Sequence, residues 1–187
     1  MEIGIIAEEY SDLDVLHELT AKIVDVRRFS FGRKFIAHGC GKLRKKCRVW
    51  AEILIKKGCR HLIVLHDLDN NSQDELRTFL NRSVADLNFS GYIILIPKHE
   101  IEAWLLVDAN ALKKVFGMSK MPSVPSSPEL ILEPKEKLEE IVRKYSGKQY
   151  FNSIHNRIIA NRLEIRLLKR KCLSFADYPS FINRIFS

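Results

Sequence analysis

The chain reads as an α/β protein built on a parallel sheet. Three observations point there. Short, unbroken apolar runs recur at Ile3–Ala7, Leu62–Leu65 and Tyr92–Ile96, the pattern of strands covered on both faces. Segments with apolar residues at helical spacing separate these runs. Strand and helix therefore alternate at least three times through residue 97, and such units, joined by right-handed crossovers, close into a parallel sheet with helices on both sides.

After the first strand, Ser11 is a natural N-cap for a helix carrying Leu13, Leu16, Leu19 and Ile23. Val24 to Phe31 alternates apolar and basic residues and is expected to be a second strand. A loop holding Gly32, Gly39 and Gly41 leads to a helix with Leu43, Cys47, Trp50 and Leu54 on one face, stopped at Gly58. The strand Leu62–Leu65 follows. Ser72 with Glu75 three residues on forms a capping box before a helix built on Leu76, Phe79, Leu80, Val84 and Leu87. Beyond the strand Tyr92–Ile96, Ile101 to Phe116 is expected to be mostly helical, re-started at Asp108 and closed at Gly117. Four prolines (Pro122, Pro125, Pro128, Pro134) mark 118–134 as a surface loop. Pro134 suits the first turn of a helix reaching Tyr145. A helix from about Ser153 to Lys171 and a short one after Pro179 complete the chain. The expected organisation is one domain: an α/β core over 1–117, the loop, and a helical extension over 135–187 packed on that core.

At 187 residues the chain can bury roughly 70% of the surface its unfolded form exposes. No apolar run approaches the roughly 20 residues of a membrane span, and the start lacks the features of an export signal. A cytoplasmic protein without a membrane partner is expected. Four cysteines (Cys40, Cys47, Cys59, Cys172) include no Cys-x-x-Cys pair and read as reduced, small apolar residues. His38-x-Cys40 and Cys59-x-His61 match no common zinc spacing.

The formal net charge is +8, and it is unevenly spread. No acid falls between Asp25 and Glu52, while that window holds Arg27, Arg28, Arg33, Lys34, Lys42, Arg44, Lys45, Lys46 and Arg48. After Glu140 the acids are Glu164 and Asp177, set among nine basic residues from Arg143 to Lys171. Such clustering suits a polyanion, most simply a nucleic-acid backbone. A solvated basic face is the plain alternative.

The acids cluster too. Glu8 and Glu9 follow the first strand, Asp67 and Asp69 the central one, and Glu100 and Glu102 come shortly after the last. In an open parallel sheet the carboxyl ends of the strands share one edge, where ligands bind. Three acidic strand ends there repel one another unless a cation lies between them. Any one acid alone would more simply be a turn or cap residue; the three sites together favour a divalent metal.

These residues resemble the Toprim domain, the metal-binding α/β module of topoisomerases, primases and several nucleases. Its pattern is a glutamate after the first strand, matched by Glu8, and Asp-x-Asp after a later one, matched by Asp67-Leu68-Asp69. More narrowly, Glu8-Glu9-Tyr10-Ser11-Asp12 is similar to the Glu-Gly-x-Thr-Glu/Asp opening of a small Toprim-like family of bacteria and archaea. The stretch from Glu100 to Asp108, Glu-Ile-Glu-Ala-Trp-Leu-Leu-Val-Asp, is similar to that family's Glu-x-Glu-Ala-Trp-Leu-Leu-x-Asp segment. Pro134-Lys135-Glu136 and the basic C-terminal helices fit as well. In this chain Glu9 stands where the family has glycine, adding a carboxylate. Relatives include the OLD-type (overcoming lysogenization defect) nucleases, encoded beside ATPases and linked to phage defence. The resemblance implies a Toprim-like fold, a magnesium- or manganese-dependent nuclease acting on DNA or RNA, and an ATPase partner.

Phosphodiester cleavage needs a water deprotonated near neutral pH and charge on the leaving oxygen offset. Two hard cations about 4 Å apart do both, and carboxylates hold them. Glu8, Asp67 and Asp69 are the candidates for the first metal, with Asp12 one helical turn beyond Glu8. Glu102 or Glu100 would complete a second; on a helix, positions two apart face differently, so Glu102 is expected as ligand and Glu100 behind it. Glu8, Asp67, Asp69 and Glu102 are the expected catalytic set. Arg33, Lys34, Lys42, Arg44, Lys45 and Lys98 are the candidates for nucleic-acid contact, Lys98 for the scissile phosphate. Gly39-Cys40-Gly41-Lys42 could cradle a phosphate but lacks the Walker spacing. Asp12 and Asp108 also suit helix N-termini, Asn70 and Asn71 suit turns, and Trp104 suits the core. Two rivals remain: a receiver-like phosphoacceptor using Glu8, Glu9, Asp67 and Lys98, and a non-catalytic module binding nucleic acid or an ATPase around a structural metal.

Overall fold

Four short strands lie side by side in the computed structural model, which describes residues 3–24 and 31–186. They are β1 (Ile3–Ala7), β2 (Arg33–Ile36), β3 (His61–Leu65) and β4 (Gly91–Leu95), in the order β2-β1-β3-β4 and all parallel. The register sets Ile6 beside both Phe35 and Val64, and Val64 beside Ile94. Chain order reverses direction between β1 and β3, so the switch point of the sheet falls between the two strands that lead into Glu8 and Asp67.

Residues of alternating parity feed two cores, which is why the strands read as continuous apolar runs. Ile6, Leu62, Val64 and Ile94 pack with Leu43, Cys47, Ala51 and Leu54 of α2 (Cys40–Lys56) and with Leu76, Leu80 and Val84 of α3 (Gln73–Val84). Gly4 lets α2 come close: a Cβ there would lie 2.9 Å from Leu54 Cδ1. Ile3, Ile5, Ala7, Ile63, Leu65 and Leu95 face the other way. They meet α1 (Tyr10–Ile23), α4 (Glu102–Leu105), α5 (Ala109–Phe116), α6 (Pro134–Ser146), α7 (Asn152–Arg162), α8 (Ile165–Lys171) and α9 (Tyr178–Phe186) in one continuous apolar cluster. The C-terminal helices thus share a core with β1 and α1, and α7 packs along α1. Glu18 of α1 ties that contact, accepting hydrogen bonds from Arg157 Nε and Asn161 Nδ2, both at 2.7 Å.

Trp104 is fully buried and donates its indole N–H to Ser174 Oγ at 2.8 Å, so it is a core residue. Cys47, Cys59 and Cys172 are buried. Among the described residues no helix is long and apolar enough to cross a membrane.

Three local expectations need correction. Most of the strand expected over Val24 to Phe31 falls on residues 25–30, outside the described residues; Val24 caps the end of α1, Phe31 is not in a strand, and the loop expected from Gly32 holds β2, which begins at Arg33. That four-residue edge strand exposes Arg33 and Lys34, so it carries no apolar run to betray it. Ser11 is not the N-cap of α1; Glu9 is, and its N–H donates to Asp12 Oδ2 at 2.9 Å. The helix expected from Ser153 to Lys171 breaks at Leu163 and Glu164, both extended. Asp108 holds the break: Oδ1 accepts from the N–H of Asn110 and Ala111, capping α5, while Oδ2 accepts from Glu164 N–H at 3.2 Å.

Candidate functional site

The carboxyl ends of β1 and β3 open onto a cavity of about 170 Å³ lined by Glu8, Glu9, Ser11, Asp12, Asp67, Asp69, Glu100, Glu102, Lys135 and Asn152. Seven of these are acids, and every acid expected as a ligand is among them. β1 delivers Glu8, the start of α1 delivers Asp12, the turn after β3 delivers Asp67 and Asp69, and the approach to α4 delivers Glu100 and Glu102.

Three of the carboxylates are held from behind. Glu8 Oε1 accepts from Asp67 N–H at 3.0 Å and lies 2.8 Å from Nδ1 of the fully buried His66. That nitrogen also sits 2.6 Å from the Asp67 carbonyl oxygen. Both neighbours are acceptors, so Nδ1 carries the proton. Glu102 Oε1 accepts from Tyr150 Oη at 3.0 Å and from Asn156 Nδ2 at 3.1 Å, and Tyr150 Oη also bonds Asn156 Oδ1. Glu100 Oε2 accepts from Lys135 N–H at 3.1 Å.

Glu100 and Glu102 were expected to face differently, with one behind the other; instead both line the cavity. Glu100 lies in the turn before α4 and Glu102 in its first position, so helical spacing does not separate them. Glu9 is exposed and extended (φ −131°), a conformation that needs no glycine. Asp69 takes a left-handed backbone (φ +46°), which aspartate tolerates better than most residues.

The electrostatics are strained. Burial, then the charges of Asp12, Glu102, Glu8 and Asp69, push the Asp67 carboxyl well above the usual range. Asp67 is half-buried as a residue, yet its Oδ1 is sealed from solvent and has no hydrogen-bond partner among the described residues. Burial also leads in pushing Asp12 up to about 7, with Glu102, Glu9 and Glu8 adding to it against the pull of the Glu9 N–H. Glu100 is raised by burial first, and by Glu102 and Glu136.

A buried acceptor left unpaired costs about 1–3 kcal/mol, and a hard divalent cation is the partner an all-oxygen set favours. The residue types and the unpaired Asp67 Oδ1 therefore fit magnesium or manganese. Among the described residues no three His, Cys, Asp or Glu side chains form a ready-made metal-holding group; the carboxylates share a cavity rather than a common point.

Of the basic candidates, Arg33, Lys34, Lys42, Arg44 and Lys45 are exposed on β2 and the first turns of α2. Arg44 donates to Asn71 Oδ1 at 3.2 Å, and Asn71 Nδ2 to the Leu68 carbonyl at 2.9 Å, so Asn71 serves the turn after β3. Lys98 lines a different cavity, beside Arg77, Tyr92 and Asp177, and not the acidic one. Sequence reasoning had not singled out His66, Lys135, Tyr150, Asn152 and Asn156. Lys135 lies in the Pro-Lys-Glu segment already noted, whereas no local signal marks the others.

Fold and site together define an α/β protein with an acidic cavity at the switch point of a parallel sheet. The chain belongs to the DUF4276 family, a domain of unknown function whose family model matches residues 8–183. No curated protein and no solved structure matches it.

Proposed function

We propose that the protein is a magnesium- or manganese-dependent nuclease that hydrolyses phosphodiester bonds of DNA or RNA. The observation that carries this reading is the convergence of seven acids on one small cavity, with Asp67 Oδ1 buried and unpaired. Exposed Arg33, Lys34, Lys42, Arg44 and Lys45 supply positive charge for a nucleic-acid backbone. The likeness of the acidic segments to Toprim and OLD-type nucleases supports the same chemistry. It is also the sole basis for proposing a role in phage defence beside an ATPase partner.

Glu8, Asp67, Asp69 and Glu102 would hold a divalent ion, which would supply a water of lowered pKa and offset charge on the leaving oxygen. The protein contributes fixed ligands: Glu8 is oriented by His66 and the Asp67 N–H, Glu102 by Tyr150 and Asn156, and Glu100 by the Lys135 N–H. Fixed groups need little reorganisation as charge develops. Lys135 is the basic residue in the cavity lining, and its ammonium would meet a phosphate oxygen.

One observation favours a non-catalytic binding module instead: Glu102 Oε1 already accepts two hydrogen bonds, and no ready-made metal group is formed among the described residues. A cleavage screen separates the two. The nuclease reading predicts magnesium- or manganese-dependent cutting of at least one of single-stranded DNA, duplex DNA and RNA. Asp67→Asn should reduce cutting by more than about 100-fold, since losing even an outer-shell partner costs about 10–100-fold, with nucleic-acid affinity nearly kept. No cutting of any substrate, with or without an ATPase encoded alongside, leaves the binding module.

A further inference from the structure

We infer that Tyr10 is a stacking platform for an unpaired base, so that the strand presented to the acidic cavity is single-stranded. The inference rests on the nuclease reading for the cavity's chemistry, but it concerns the surface beside the cavity. Tyr10 opens α1 between Glu9 and Ser11, which both line the cavity. Its side chain does not join either core: the residue is 55% exposed.

A cation and an aromatic ring lie against the Tyr10 side chain. Lys34 Nζ lies over the ring, 5.5 Å from its centroid, and the His38 ring packs against it at 5.8 Å between centroids, tilted by 58°. His38 N–H donates to the Glu8 carbonyl at 2.8 Å, so this patch is tied to the strand end that carries Glu8. Exposed Lys42 and Arg44 extend the positive surface along the first turns of α2.

An exposed ring paired with a cation is how proteins hold single strands: the base stacks on the ring, displacing the lysine from over it, and the cation turns to neutralise the adjacent phosphate. Bases inside a duplex have both faces covered by their neighbours, so a ring at this position engages only a base that is splayed out. Stacking reads the base and not the sugar, so DNA and RNA are separate arms of the test.

The experiment is fluorescence titration of the full chain with 2-aminopurine-labelled DNA and RNA single strands and with the matching duplexes. It is run in EDTA and again in calcium buffer. The expected result is 2-aminopurine quenching and tighter binding of single strands than of duplexes, with Tyr10→Leu weakening single-strand binding about tenfold. Tyr10→Phe should bind like the wild type, and the duplex arm should be insensitive to both changes. Unchanged single-strand affinity in Tyr10→Leu, or a preference for duplex, overturns the inference. Failure of the nuclease reading looks different: Tyr10-dependent binding without cleavage in magnesium or manganese leaves the stacking platform standing.

Discussion

Burial and four neighbouring carboxylates hold Asp67 well above the usual aspartate range, and Asp12 is pushed up to about 7, burial again leading. A carboxyl raised in this way favours folding below its unfolded value, 3.8 for Asp12, and that contribution is lost as pH rises through the folded value. In EDTA, stability should therefore decline between about pH 4 and pH 7, and the decline should be shallower in Asp12→Asn; urea unfolding at several pH values measures the difference. Glu18 works in the opposite sense. Burial raises it, but the hydrogen bonds from Asn161 and Arg157 outweigh that, leaving it lowered. Its stabilisation is present above its unfolded value of 4.5 and is lost as pH falls through the folded one, so Arg157→Ala should cost stability at pH 7 and little at pH 3.

Helix ends position the site and hold the C-terminal extension. Asp108 caps α5 and takes the Glu164 N–H at the gap between α7 and α8. Losing a cap and leaving that N–H unpaired should make Asp108→Ala about 2 kcal/mol less stable in chemical denaturation. Tyr150, at the entry to α7, donates to Glu102. Tyr150→Phe should lower divalent-ion affinity by about 10–100-fold, the usual effect of an outer-shell partner, as read by titration calorimetry. These same elements show what a sequence reveals. The apolar runs and the acids at their ends were legible, because buried strands and the edge they create follow from local pattern. The break at Leu163 was not, since neither it nor Glu164 breaks helices and its partner lies 56 positions away. β2 was missed because an exposed edge strand starting Arg33-Lys34 lacks the apolar pattern. Tyr150, Asn152 and Asn156 reach Glu102 and the cavity only through packing of α7 against α1 and α4, which no local spacing encodes.

At the scale of the molecule, a chain of net charge +8 carries a cavity lined by seven acids. The two signs have separable consequences. Nucleic-acid affinity should fall steeply with salt, and Lys34→Gln should reduce the slope of log K against log salt by about 1, while leaving cation binding unchanged. Stability should respond to divalent ions instead. At about 100 times the dissociation constant, a bound ion adds about 2.7 kcal/mol, or roughly 5–10 °C in Tm for a chain of this size, and more at pH 8 than at pH 5 because the ligands must shed protons. The most direct measurement is titration of the full chain with manganese at pH 8 by calorimetry, wild type beside Asp67→Asn. Saturable binding to the wild type, absent or at least about 100-fold weaker in the variant, is the result this account predicts. No binding to the wild type, or equal binding to both, would contradict it.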